Sequence, residues 1–93
     1  MRSVKRTNRF QRDFKKLKGG EHAKHIDNTL LAALKLLATD AILPERYADH
    51  RMKGEYSDCR DCHLRGDLVL IYRKTGDDIL ELVRIGSHAS LEL

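Results

Sequence analysis

His50, His63, Asp67, Arg84 and His88 are the residues of this chain best suited to chemistry. They lie around two short apolar runs, Leu68-Val-Leu-Ile-Tyr72 and Ile79-Leu-Glu-Leu-Val-Arg-Ile85. Both runs read as sheet strands, and strand ends can carry residues distant in sequence onto one surface. Imidazole exchanges protons near neutral pH. Arginine keeps its charge and presents a planar fork of donors that suits phosphate. The set therefore points to proton transfer on a phosphate-bearing polymer. RNA can be cut this way without metal. A base takes the proton of a 2′-hydroxyl, the oxygen attacks the adjacent phosphorus, and an acid protonates the departing 5′-oxygen. Each well-placed acid or base contributes roughly 10²–10⁴-fold.

Each residue also has a quieter reading. A histidine at a strand end can satisfy a loop carbonyl, and Asp67 after Gly66 can cap a turn. Arg84 can pair with Glu81 or Asp78 on the surface. Three histidines and an aspartate can also ligate zinc.

The elements that must position these groups follow from local pattern. Ser3–Arg6 fits a short first strand, and Thr7 a helix N-cap. Phe10, Phe14 and Leu17 then form one apolar stripe, and Gly19-Gly20 ends the helix. A second helix fits residues 21–39, with Ala23, Ile26, Leu30, Ala33, Leu34 and Leu37 on its buried face. It should stop before Pro44. His22 and His25, in its first turns, are expected to face solvent. Residues 40–53 read as irregular. Strands are expected near 54–57, 59–65, 67–74 and 78–85, with turn residues at Ser57-Asp58, Arg65-Gly66 and Thr75-Gly76-Asp77-Asp78. Leu68–Tyr72 is apolar without alternation, as in a central strand covered on both faces. The fold class is α+β: one domain over residues 1–93, with an N-terminal strand and two helices packed on one face of a mainly antiparallel sheet of four to five strands.

The 93 residues suffice for one small core. With 41% hydrophobic and 34% charged residues, the chain suits a globular protein. No apolar stretch approaches the roughly 18 residues of a membrane span, and no signal region follows the basic N-terminus, so a cytoplasmic location is expected. Residues 1–18 hold eight basic groups and one acid, Asp13, whereas the rest of the chain is net acidic at −3, giving +4 in all. Lys5, Arg6, Arg9, Arg12, Lys15, Lys16 and Lys18 are thus candidates for contact with a polyanion or an acidic protein, with Arg51 and Lys53 beside His50. Cys59 and Cys62 form a Cys-x-x-Cys that leads into a strand rather than a helix, where residues three apart face opposite ways. They read as two reduced structural thiols, and neither cofactor nor metal is expected.

Four segments add a resemblance: Tyr47-Ala-Asp-His50, Cys59-Arg-Asp-Cys-His63, Asp67-Leu-Val-Leu-Ile-Tyr72 and Leu82-Val-Arg-Ile-Gly-Ser-His88-Ala. Together they resemble the YafQ family of the RelE/ParE superfamily of bacterial toxins, from about residue 4 onward. The resemblance implies a RelE-like fold and a ribosome-dependent endoribonuclease that cuts mRNA in the ribosomal A site. It implies a cognate antitoxin, acidic and partly disordered when free, and the 70S ribosome with its mRNA and rRNA as partners. The family's catalytic residues map onto His50, His63, Asp67 and His88, and its phosphate-stabilising arginine onto Arg84. His88 would be the general acid and His50 or Asp67 the base, with His63 orienting substrate or sharing the proton. Two departures stand out. Leu68 occupies a position where some relatives carry a stacking aromatic, and the chain ends Ser90-Leu-Glu-Leu93 without one. Three rivals remain open at this point: a ParE-like gyrase-inhibiting toxin, a non-catalytic RNA- or protein-binding module built on the basic helix, and a zinc protein.

Overall fold

The computed structural model describes every residue except Glu21. Five strands form one sheet in the order β1-β5-β4-β3-β2. They are β1 (Ser3–Arg6), β2 (His50–Arg51), β3 (Arg60–Arg65), β4 (Leu68–Thr75) and β5 (Ile79–Ser87). The helices α1 (Asn8–Lys18) and α2 (Ile26–Ala38) lie between β1 and β2 in the chain. Consecutive strands from β2 onward pair antiparallel; β1 alone pairs parallel, against Ile79–Leu82 of β5. The expected architecture of two helices against a mainly antiparallel sheet is what forms.

Three boundaries differ from expectation. Residues 54–57 do not make a strand: Gly54–Tyr56 is a single tight 3₁₀ turn. Gly54 has φ +67°, a left-handed backbone that no continuing strand accommodates. The strand pairing with β3 is instead His50–Arg51, inside the segment expected to be irregular. The second helix starts at Ile26, five residues later than expected, because residues 22–25 close tight turns onto Gly20 and His22 carbonyls and His25 offers no side-chain cap. Glu21, the expected first residue of that helix, lies outside the described residues. β4 (Leu68–Thr75) lies within one residue of the expected 67–74 at each end.

Alternation along the strands divides the core in two. On the helix side, Leu70, Tyr72, Leu80, Leu82 and Ile85 meet Phe10 of α1 and Ile26, Leu30, Ala33 and Leu37 of α2. On the other side, Val69, Ile71 and Val83 meet Met52, Cys59 and Leu91, which come from the loop before β3 and from the C-terminal turn. β4 is thus apolar on both faces, as its uninterrupted hydrophobic run required. Cys62 falls in the first cluster and Cys59 in the second, on opposite faces of the sheet. Burial pushes the Cys59 thiol up to about 11 and the Cys62 thiol up to about 12, so both stay protonated. Among the described residues, no helix is long and apolar enough to cross a membrane.

The edge of β5 explains where α1 sits. β1 covers that edge only as far as Leu82. Beyond it the chain turns into α1, whose N-cap Thr7 accepts from Phe10 N–H at 3.0 Å and donates through its hydroxyl to the Val83 carbonyl at 2.7 Å. Asp13 accepts from Ile85 N–H at 3.2 Å. The start of α1 therefore replaces β1 as the partner of this edge, supplying hydrogen bonds to backbone groups that β1 no longer reaches.

Candidate active site

Register places His50, Asp61 and His63 together. His50 lies opposite Asp61 across β2 and β3, while Asp61 lies opposite Ile71 and His63 opposite Val69 across β3 and β4. Val69 and Ile71 belong to the face away from the helices, so both β3 side chains stand on that face too. His50 is steered from behind. Its preceding residues turn through Ala48 at φ +46°, and Asp49 is clamped by the Tyr72 hydroxyl and by the Arg60 guanidinium.

His88 arrives from the other end of β5. A C-terminal turn follows the strand, closed by Ser87 N–H donating to Ser90 Oγ and Ser90 N–H to Ser87 Oγ, each at 3.0 Å. Gly86 permits that turn, since a Cβ there would stand 2.6 Å from Ser90 Oγ and 3.3 Å from Leu91. Leu91 anchors the turn in the second core cluster. His88 Nδ1 then lies 2.7 Å from Asp67 Oδ1, on the turn between β3 and β4, and its ring meets the His63 ring edge-on at 4.9 Å.

Four of the five predicted residues, His50, His63, Asp67 and His88, are thereby gathered on one accessible surface; the side chains of His50 and His88 are 60% and 41% exposed. Arg84 stands apart, at a bulge in β5 where register shifts against β4. Its Nε and Nη2 donate to the two oxygens of Asp13 at 2.9 and 2.8 Å. That pairing replaces the expected ones with Glu81, which is taken by Arg73, and with Asp78. Asp13 holds the Arg84 pKa above its usual range, so the charge is permanent, and the Tyr56 hydroxyl beside the guanidinium acts in the same direction. His22, expected in solvent, is half-buried; His25 is exposed as expected.

The residue that local pattern missed is Asp61. Its side chain is 6% exposed, and its Oδ1 lies 3.0 Å from His50 Nδ1. The well-aligned hydrogen bond of His50 Nδ1, however, goes to the Ala48 carbonyl at 2.9 Å, which leaves Asp61 Oδ1 buried without one. Burial pushes the Asp61 carboxyl up, while His50, His63 and His88 pull it down more weakly. With a carbonyl and a carboxylate both facing Nδ1, the proton of neutral His50 belongs on that nitrogen. Nε2 is then the open base. At His88 the Asp67 carboxylate claims Nδ1–H, and that hydrogen bond holds the Asp67 carboxyl below its usual range. Nε2 is again the nitrogen left to exchange a proton. Two features of the sequence bear on Asp61: it lies inside the Cys59-Arg-Asp-Cys-His63 segment, and its spacing of two from His63 puts both on one strand face.

The nine candidate RNA-binding residues, Lys5, Arg6, Arg9, Arg12, Lys15, Lys16, Lys18, Arg51 and Lys53, are all exposed. Lys18 pairs with Asp27, and Arg9 approaches Glu55 at 3.8 Å; among the described residues Arg12, Lys15 and Lys16 make no ion pair. Arg9 also reaches over to the site's side of the sheet, donating from Nη1 to Tyr56 Oη at 3.4 Å. Among the described residues no group of three or more His, Cys, Asp or Glu is arranged to hold a metal ion.

Residues 2–92 match the family described as the bacterial toxin of type II toxin-antitoxin system, YafQ. The chain belongs to the YafQ family. The mRNA interferase toxin YafQ of Escherichia coli strain B/BL21-DE3 is 33% identical over 92 residues, spanning 97% of this chain and 95% of the relative. The crystal structure of YafQ from E. coli BL21(DE3) matches with a TM-score of 0.83 at 29% identity over 98% of both chains. YafQ in the E. coli DinJ-YafQ complex matches with a TM-score of 0.80 at 31% identity, again over 98% of both. In this YafQ-family chain, the histidines expected from sequence lie together on the sheet face that the helices leave free.

Proposed function

We propose that this chain, an endoribonuclease toxin by family, cuts mRNA in the A site of the translating ribosome by acid–base catalysis through the substrate's own 2′-hydroxyl. The observation that carries the reading is a matched pair of imidazoles, each with Nδ1 beside a carboxylate: His50 at 3.0 Å from Asp61 and His88 at 2.7 Å from Asp67. His50 Nε2 takes the 2′-hydroxyl proton. The oxygen attacks phosphorus, the P–O5′ bond breaks, and protonated His88 delivers a proton from Nε2 to the 5′-oxygen. The products are a 2′,3′-cyclic phosphate and a free 5′-hydroxyl. Asp67 is the poorer base because it is engaged by His88. His63, edge-on to His88, orients the acid and the substrate between them. The outward edge of Arg84 neutralises charge building on the phosphate oxygens.

The ribosome supplies both the mRNA and a field of rRNA phosphates for the exposed bases of β1 and α1 and for Arg51 and Lys53. The same positive surface fits an acidic, initially flexible antitoxin that would displace mRNA when bound. The test is induced expression with primer-extension mapping of a reporter message. Wild type should produce in-frame cuts that vanish when translation is blocked, and His88→Ala should lose at least about 10²-fold of the cleavage while staying folded. Full cleavage by the folded His88→Ala protein, or cuts independent of translation, would reject the mechanism.

A further inference from the structure

The chain has five phenylalanines and tyrosines and no tryptophan. Phe10, Tyr47 and Tyr72 are buried, at 1%, 4% and 2% exposure. Phe14 packs into the helix-side core. Tyr56 alone belongs to the other face, packed against the cluster that includes Met52 and Leu91, with which it lines one cavity, while part of it stays open to solvent. Leu91, from the same C-terminal turn as His88, forms a wall of the same 320 Å³ cavity as Tyr56, and Arg84 of the proposed site lines that cavity too. Arg9 donates to the Tyr56 hydroxyl at 3.4 Å, and Arg84, fixed by Asp13, lies beside it. Glu55 and Glu92 also line the cavity, but the 3.8 Å pair of Arg9 with Glu55 is solvent-exposed and readily displaced by a phosphate.

We propose that Tyr56 is the base-stacking platform of the enzyme, and that with Arg9 and Arg84 it forms a subsite for one nucleotide of single-stranded RNA beside the linkage that is cut. The proposal rests on the ribosome-dependent nuclease reading and adds a specificity-determining residue to it. Recognition of an unpaired nucleotide needs a flat π-face for the base and donors for the adjacent phosphate. Tyr56 supplies the first where Leu68 and the C-terminal residues do not. Arg9 and the open edge of Arg84 supply the second. Packing on the second core cluster holds the ring in place before RNA arrives, so little is lost in ordering it.

The experiment crosses a change in the protein with a change in the RNA. Ribosomes are programmed with a message carrying either an intact A-site codon or one abasic residue at each codon position in turn, and kcat/KM for cleavage is measured. For wild type, one abasic position should lower cleavage about ten- to a hundredfold, the size of one base–aromatic stack. Tyr56→Leu should lower cleavage of the intact message by a like factor, and the abasic change should then cost nothing more. Tyr56→Phe, which keeps a ring, should retain the abasic penalty, and Tyr56→Trp should enlarge it. An abasic penalty as large in Tyr56→Leu as in wild type overturns the subsite while leaving the nuclease reading intact. An unchanged penalty in Tyr56→Trp overturns it whatever the stability of the leucine variant. A wild-type protein that cuts no ribosome-bound message overturns the nuclease reading, and the subsite with it.

Discussion

Replacing Asp61 by asparagine should make this protein more stable and less active. The carboxylate is 6% exposed, and its Oδ1 has no hydrogen bond. Leaving a buried polar group unsatisfied costs about 1–3 kcal/mol. The nearby imidazoles offset part of that cost, but burial is the larger influence and pushes the carboxyl upward from 3.8. A carboxyl whose pKa is higher folded than unfolded destabilises the fold as it ionises. The loss begins as pH rises past 3.8, grows through the raised folded value and is constant above it. Asparagine has no such charge. Asp61→Asn should therefore equal wild type in acid and exceed it at neutral pH by about 1 kcal/mol, or roughly 4–8 °C in Tm for a domain of this size. Cleavage should fall about tenfold or more, because a neutral amide holds the His50 Nδ1–H tautomer less firmly and base catalysis contributes about 10²–10⁴-fold in all. Thermal unfolding followed by circular dichroism from acid to neutral pH, with ribosome-bound cleavage in parallel, decides both halves. A variant less stable than wild type at neutral pH would show that attraction between His50 and Asp61 outweighs desolvation. Undiminished cleavage would show that Asp61 does not set the tautomer.

Two further outcomes follow from the pairing and burial of other groups. Asp13→Ala should cost about 2–4 kcal/mol of folding stability in urea titration, since it strands both the part-buried Arg84 guanidinium and the Ile85 N–H, and cleavage by the folded fraction should drop as Arg84 loses its anchor. A loss under about 0.5 kcal/mol would mean that the pair contributes no more than an exposed one. Cys59 and Cys62, with pKa values of about 11 and 12, should resist a thiol reagent at pH 8 in native protein and react fully once it is unfolded. Rapid labelling of the native protein would contradict their burial.

Much of this molecule is written in local pattern. The Thr7 cap, the Phe10, Phe14 and Leu17 stripe and the doubly apolar β4 follow from periods of 3.6 and from uninterrupted hydrophobicity, which neighbours a few residues apart determine. The opposed faces of Cys59 and Cys62 follow in the same way. His50, His63, Asp67 and His88 were recognisable as a set by residue type and by resemblance to a family. What local pattern could not supply is whatever depends on strands meeting. A single glycine in the left-handed region turned an expected strand at 54–57 into a tight turn and moved the edge pairing back to His50–Arg51. Asp61 became a buried neighbour of His50 only through that register. Arg84 found Asp13, 71 residues away, because β1 ends early and α1 takes over the edge of β5. Short-range order is set by each residue's own geometry and that of its neighbours, whereas the burial of a charge and the choice of its partner are set by which segments the core brings side by side.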